Sequence, residues 1–237
     1  MTLDEFLKEE RNSVFREKLV NYWFFYQVKL EAAKNKNDIQ IFIPEIDRNG
    51  FDVILDDLTK LVPYQLKVIQ KSSRTQKWEI SKNLIRPKPY LCSLLGYEES
   101  PEGDGEQGGF VLIQMTIDEQ EISKYEYYYT DCFILKAFEE KLITFKGKDW
   151  SSICDAILIE SRKGSRLGKI KMRKSAMVKV TNIDKLLALS DISTSNHNQW
   201  QNKFITYLKN KTNSNLRGDV LHALNEIIDD NRFKIGT

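Results

Sequence analysis

Residues Ile43 to Lys67 read Ile-Pro-Glu-Ile-Asp-Arg-Asn-Gly-Phe-Asp-Val-Ile-Leu-Asp-Asp-Leu-Thr-Lys-Leu-Val-Pro-Tyr-Gln-Leu-Lys. Each of two short apolar runs follows a polar turn, and Asn-Gly and Asp-Asp between β-forming residues signal hairpins or loops. Side chains alternate faces along a strand, so Gln65 and Lys67 share a face and Leu66 points the other way. Pairing of the two runs would bring Asp52 beside them. The segment therefore predicts a hairpin on which a carboxylate, an amide oxygen and an ammonium converge.

These groups suit one kind of chemistry. Carboxylate and amide oxygens are hard ligands of the type that Mg²⁺ prefers. A neighbouring Lys can hold or activate a water, so the set predicts metal-assisted hydrolysis of a phosphodiester. The alternative is an ordinary amphipathic hairpin whose Asp52 and Lys67 are solvated.

Two short motifs carry a resemblance to a known family. Gly50-Phe51-Asp52 is followed, thirteen residues after the Asp, by Gln65-Leu66-Lys67. This pattern resembles the PD-(D/E)XK nuclease superfamily, which has the restriction-endonuclease-like fold, and the match covers the first third of the chain. Gln65 replaces the second motif carboxylate, as in many members, and leaves one fewer negative charge. The resemblance implies a Mg²⁺ (or Mn²⁺) site at Asp52 and Gln65, with Lys67 as a further catalytic residue.

Residues 3 to 36 predict one long helix before this hairpin. One helical stripe is expected to be the core face: Phe15, Leu19, Tyr22, Trp23, Tyr26 and Leu30. A second stripe contains Glu17, Val20, Phe24 and Val28. The resemblance implies that a Glu on this helix reaches the metal, and Glu17 is the first candidate, as a catalytic and metal-binding residue. Glu10, Glu45 and Asp47 are competing sources of this carboxylate, and Glu17 could instead pair with a surface Lys or Arg.

The order of elements agrees with the resemblance. Residues 39 to 43 predict a strand, which gives helix, strand, strand, strand before residue 70. Pro63 cannot donate to a sheet ladder, so regular pairing of its strand is expected to begin at Tyr64. Further strands are expected at 110–117 and 125–129, and a helix at 133–142.

Two basic regions follow the hairpin, at 67–89 and 161–180. Such Lys, Arg and hydroxyl groups contact phosphates, and Trp78 could stack on a base. The expected nucleic-acid ligands are Lys71, Arg74, Lys77, Arg162, Lys163, Arg166, Lys171 and Arg173. Both regions are expected to flank one cleft, although solvated basic loops are the alternative.

The bulk composition limits the function classes. The 237 residues carry a net charge of only +2, so a nucleic-acid footprint must be local. Three Cys and two His, widely spaced, argue against a zinc cluster or a Ser-His-Asp triad. Without a membrane-length apolar run or a signal-peptide pattern, we expect a cytoplasmic protein with no membrane partner.

The sequence therefore predicts an α/β protein. It would have a restriction-endonuclease-like core with a long N-terminal helix, a central mixed β-sheet flanked by helices, and a C-terminal helical pair. The nuclease core is expected at 1–190, with an inserted, exposed acidic loop at 97–109. A C-terminal helical extension is expected at 191–237, with helices at 199–209 and 216–229 that pack as a cap or form a homodimer.

Three functions fit these patterns. The favoured one is a Mg²⁺-dependent endonuclease, a hydrolase acting on phosphodiester bonds of nucleic acid, with DNA as the expected partner. The second is a catalytically inactive nucleic-acid- or partner-binding module on the same fold, which the missing second carboxylate favours. The third is an interaction protein, such as an immunity or scaffold protein, in which the motif is a coincidence.

Overall fold

The computed structural model describes residues 2–45, 50–103, 105–118, 120–147, 151–192 and 198–236. Its helices are α1 (Leu3–Lys8), α2 (Ser13–Lys34), α3 (Pro89–Leu95), α4 (Cys132–Glu139), α5 (Ser151–Arg162), α6 (Ile183–Leu189), α7 (Trp200–Lys209) and α8 (Ser214–Ile227). Its strands are β1 (Gln40–Phe42), β2 (Val53–Asp56), β3 (Leu61–Gln70), β4 (Lys77–Ser81), β5 (Gly109–Asp118), β6 (Glu121–Thr130), β7 (Ile143–Phe145), β8 (Lys169–Arg173), β9 (Val178–Val180) and β10 (Phe233–Ile235).

The main sheet is six-stranded, in the order β1-β2-β3-β5-β6-β9. β3 and β5 are parallel, and the other neighbours are antiparallel. α2 packs on one face, where Phe24 meets Tyr64 and Tyr127. The small β4–β8 sheet packs on the other face, where Trp78 lies near Phe110. The predicted α/β fold, with a mixed central sheet flanked by helices, is confirmed, and three strands follow the N-terminal helical segment as expected.

The register of β3 explains how a proline fits a central strand. On one side, Pro63 lies opposite Ile54 of β2. On the other side, pairing with β5 begins at Tyr64, opposite Gly109. Pro63 therefore precedes the parallel ladder with β5 and is not required to donate to it. The expectation that regular pairing begins at Tyr64 holds only on this side, because β3 pairs with β2 from Leu61 onward.

The prediction of one long N-terminal helix is wrong. The chain leaves helical geometry at Glu9, which is extended (φ −61°, ψ 135°), and a short 3₁₀ turn leads into α2. The Asn12 amide donates to the Phe6 carbonyl (2.8 Å), and the Arg16 guanidinium donates to the Leu7 carbonyl. These side chains satisfy carbonyl groups at the end of α1, which lets the helix stop there.

The prediction of which stripe of α2 faces the core is also wrong. The buried positions are Val20, Phe24, Val28, Glu31 and Ala32, whereas Phe15, Tyr22 and Tyr26 are more than half exposed, at 54%, 66% and 57%. Trp23 is only partly buried and stacks on Tyr125, with ring centroids 4.7 Å apart. The smaller apolar stripe lies against the sheet, and the aromatic stripe lies beside it.

The C-terminal segment packs closely with the preceding chain. β10 pairs with β7, and Trp200 of α7 is fully buried against Phe133 of α4. The apolar faces of α7 and α8 are buried within the chain, and the homodimer stays a prediction. Within the described residues, no helix combines the length and the apolar character needed to cross a membrane.

The acidic segment at 97–109 is anchored in part. Tyr97 is buried, and the backbone amides of Glu106, Gln107 and Gly108 donate to carbonyls of residues 83–86. Glu98, Glu99 and residues 101–103 are exposed, as expected for a loop, whereas its two ends are held against the protein.

Candidate functional site

The Asp52 carboxylate lies at the edge of β3. Asp52 immediately precedes β2, and its backbone N–H donates to the Tyr64 carbonyl (2.8 Å). Its Oδ2 accepts a hydrogen bond from the backbone N–H of Leu66 (2.6 Å). Leu66 stands between Gln65 and Lys67, so the carboxylate is held at the backbone that joins these two residues.

The register also defines the direction of the neighbouring side chains. Val53 lies opposite Tyr64, and both are buried on the face that meets α2. Because side chains alternate, Gln65 and Lys67 point to the opposite face, toward the β4–β8 sheet. Gln65 is buried and its Oε1 accepts from the backbone N–H of Ser81 in β4 (3.2 Å). Lys67 is half-buried and lines a groove at the end of β3.

Gly50 lies close to β4. Its φ is +76°, and a Cβ at this position would overlap the Cβ of Ser81. A side chain here would therefore require both backbone strain and displacement of β4. The absence of a side chain at Gly50 lets the backbone just before Asp52 lie directly against β4, the strand that contacts Gln65.

The donor set suits a metal held jointly by protein, water and substrate. Asp52 uses one oxygen for Leu66 but, like any carboxylate, has further lone pairs, and an amide oxygen such as that of Gln65 has two. Mg²⁺ usually binds one or two carboxylates together with waters and substrate phosphates. The residues that would hold it are Asp52 and Gln65. Across the described part of the chain, no three His, Cys, Asp or Glu side chains form a metal-binding group.

The additional carboxylate is not identified by the geometry. Glu17, Glu10 and Glu45 are exposed, and Asp47 lies outside the described residues. The α2 residue that lines the groove beside Lys67 is Arg16, the immediate neighbour of Glu17. Sequence reasoning missed Arg16 and also Lys8 of α1, because their position depends on the break between the two helices.

The two predicted basic regions lie side by side. β4 and β8 are antiparallel, with Lys77 opposite Arg173 and Glu79 opposite Lys171. Ile170 and Met172 are buried, whereas Lys171 and Lys77 are exposed. The alternation therefore presents one basic face to solvent, as the sequence predicted for 169–173.

The other candidate nucleic-acid ligands differ in their surroundings. Lys71, Arg74 and Lys163 are exposed. The Arg162 guanidinium forms two hydrogen bonds with Glu139 (2.6 and 2.8 Å), and Arg166 donates to Asn83 (3.1 Å). The Arg162–Glu139 pair lowers the pKa of Glu139 to about 2. Arg162 and Arg166 thus have protein partners that a nucleic acid would have to share or displace.

A second polar cluster lies at the opposite end of β3, beside a groove of about 920 Å³. Asp131 caps α4 through Ile134 N–H (2.7 Å) and also accepts from Tyr129 (2.8 Å) and Gln201 (3.1 Å). Burial raises the pKa of Asp131 to about 6. Burial lowers the pKa of Lys60, which donates to Gln201 Oε1 (2.7 Å).

The raised pKa of Asp131 predicts a pH-dependent stability. Asp131 binds its proton more tightly in the folded state than in the unfolded state, where the pKa is about 3.9. The free energy of unfolding should therefore fall by about 1 kcal/mol as the pH rises from 5 to 7. Asp131→Asn should flatten this change, measured by urea denaturation at a series of pH values. A parent protein whose unfolding free energy stays level over this range would contradict the assignment.

Comparisons of the chain with protein families, with curated proteins and with solved structures find no match. The functional interpretation therefore depends on the residues and geometry described above.

Proposed function

We propose that the protein is a metal-dependent nuclease that hydrolyses phosphodiester bonds of DNA. The observation that carries this proposal is the hydrogen bond from Leu66 N–H to the Asp52 carboxylate (2.6 Å). It holds the one motif carboxylate beside the backbone between Gln65 and Lys67. This bond distinguishes the arrangement from a hairpin whose Asp and Lys side chains are both solvated.

Each motif residue has a distinct proposed role. Asp52 and Gln65 would hold a Mg²⁺ ion, which would supply Lewis-acid polarisation of the phosphate and a water of lowered pKa. The Lys67 ammonium orients the attacking water and offsets negative charge that develops on the phosphorus oxygens. Lys67 is well placed for this because β3 continues past the end of β2, so its edge opens into a groove.

The basic sheet supports a nucleic-acid substrate. The exposed Lys77 and Lys171 stand on neighbouring strands, and Ser81 on β4 contacts Gln65. The basic face and the motif are therefore joined through the same strand. Lys and Arg on such a surface contact phosphates without reading the base sequence.

A second candidate function is nucleic-acid binding without cleavage. It is favoured by the hydrogen bond that Gln65 Oε1 accepts from Ser81, because this bond occupies one of the two proposed metal ligands. It is also favoured by the lack of a second carboxylate in the motif.

One experiment separates the two functions. Supercoiled plasmid is incubated with the protein in Mg²⁺, in Mn²⁺ and in EDTA, and nicking is followed on a gel. The nuclease proposal expects nicking that requires the metal. A protein that binds DNA in a salt-dependent manner but never nicks it in either metal would favour the binding module. A parallel assay with RNA tests the choice of DNA.

Gln65→Glu is expected to strengthen metal binding. It adds a negative charge at the metal, and its carboxylate can still accept from Ser81 N–H. The Mg²⁺ concentration for half-maximal cleavage should fall several-fold, and the cleavage rate should hold or increase. Asn225→Asp on α8 is the matched control, since it makes the same amide-to-carboxylate change at an exposed site. Equal Mg²⁺ dependence in the parent and in Gln65→Glu would place the metal elsewhere.

A further inference from the structure

A groove of about 480 Å³ lies at the free edge of β3, which we call the β3-edge groove. Its polar lining includes Lys8 and Arg16 from the N-terminal helices, Lys67 from β3, and the hydroxyl residues Ser72, Ser73 and Thr75. Among the described residues that line it, none is acidic. The groove thus combines cationic and hydroxyl groups, which are the usual ligands of an anion.

The groove is formed by the fold and is more than a chance group of surface lysines. β2 pairs with β3 only as far as Tyr64, and within the described residues no strand continues along this edge. The side chain of Gln70 approaches the carbonyl of Asp4 (3.4 Å), which brings α1 to one side. The Ser81–Gln65 hydrogen bond holds β4 on the other side. The free edge of β3 is therefore open, with α1 on one side and β4 on the other.

The backbone of β3 adds a donor. Leu66 directs its N–H away from β5, toward Asp52. In a parallel ladder alternate residues bond to the same neighbour, so Val68 directs its N–H to the same open edge. Val68 lines the groove. An anion bound there would meet a backbone donor as well as charged side chains.

Arg16 is the strongest polar group of the lining. It is half-buried, and one terminal nitrogen is fixed by its hydrogen bond to the Leu7 carbonyl. A guanidinium has five N–H donors in a planar fork, which matches the oxygens of a phosphate. Lys8 is already paired with Asp4, so its charge is partly offset.

We propose that the β3-edge groove binds one phosphate group of a nucleic-acid strand, adjacent to the bond that is cleaved. This inference rests on the proposed function because Lys67 lines both the groove and the catalytic site. The Arg16 guanidinium binds the phosphate. Its remaining oxygens accept hydrogen bonds from the Val68 N–H and from the hydroxyls of Ser72, Ser73 and Thr75. Lys8 contributes long-range electrostatic attraction.

The test is equilibrium binding in EDTA, where no cleavage occurs. A fluorescein-labelled DNA duplex is titrated at several salt concentrations with the parent, Arg16→Gln, Lys8→Gln and the exposed control Lys209→Gln on α7. Losing one phosphate contact should reduce the slope of log K against log salt by about 0.9. Arg16→Gln should show this change and roughly tenfold weaker binding at low salt. Lys8→Gln should show a smaller change, and Lys209→Gln should match the parent.

Several outcomes decide the proposal. An Arg16→Gln protein that is folded by circular dichroism and keeps the parental salt slope overturns it. Should this variant unfold because Leu7 loses its partner, the parent decides instead: inorganic phosphate that displaces DNA no better than chloride at equal ionic strength overturns the proposal. Inorganic phosphate, compared with chloride at equal ionic strength, should displace DNA from the parent but less from Arg16→Gln. Phosphate binding without any effect of Arg16→Gln on DNA would mean a free-phosphate site, which also overturns the proposal.

The result is separable from the nuclease proposal. If Arg16→Gln reduces the salt slope but the parent shows no metal-dependent nicking, the phosphate-binding proposal stands and the nuclease proposal fails. If the parent nicks DNA in a metal-dependent manner but Arg16→Gln keeps the parental salt slope, the nuclease proposal stands and the phosphate-binding proposal fails.

Discussion

Asp52→Asn is expected to abolish metal-dependent cleavage while the fold is retained. The amide keeps an oxygen that can accept from Leu66 N–H, but it has no charge to hold a divalent ion. The cleavage rate should fall by about 10²–10³ or more, the scale of losing a preorganised electrostatic contact. DNA binding should survive or tighten, because a negative charge that faces phosphate is gone. Plasmid nicking and EDTA binding assays on the same preparation measure both effects.

Asp52→Ala serves as the comparison variant. It removes the charge and also leaves the Leu66 N–H without its acceptor, so the free energy of unfolding should drop by about 1–3 kcal/mol. Asp52→Asn should be close to the parent in stability. A parental nicking rate in either variant would place the chemistry elsewhere and remove the basis of the nuclease proposal.

Lys67→Ala is expected to reduce the cleavage rate by about 10²–10³, because the ammonium acts on the water and on the developing charge. DNA binding should weaken only slightly, since one cation of the groove is lost. Lys124→Ala is the matched control, because Lys124 is an exposed lysine on β6 of the same sheet. Single-turnover nicking rates compare the two. Equal losses in both variants would show that Lys67 contributes only general positive charge.

Much of the fold around the site followed from local patterns. The Asn-Gly turn, the apolar run after Asp52 and the position of Pro63 predicted β2 and β3, because each pattern restricts its own backbone. The alternation of Lys169 to Arg173 predicted the exposed basic strand for the same reason. These features need only neighbours in sequence, so one sequence was enough to predict them.

Features that depend on distant partners were not predictable in this way. The end of α1 depends on side chains of Asn12 and Arg16 that reach back to carbonyl groups. Arg162 was expected to be available for a nucleic acid, yet its partner Glu139 lies 23 residues away in sequence. The periodicity of α2 offered two stripes, and only packing against Tyr64 and Tyr127 decides between them.

The approach of Gly50 to Ser81 has a mechanical consequence. Gly50, two residues before Asp52, lies directly against the side chain of Ser81 in β4, where a Cβ on Gly50 would overlap the Ser81 Cβ. A second attachment, from Gln65 to the Ser81 amide, lies beside the first. The surface that would receive the nucleic acid and the carboxylate that would act on it are therefore coupled at one short joint. A shift of β4 on binding a nucleic-acid strand would therefore be transmitted directly to Asp52, without involving the rest of the protein.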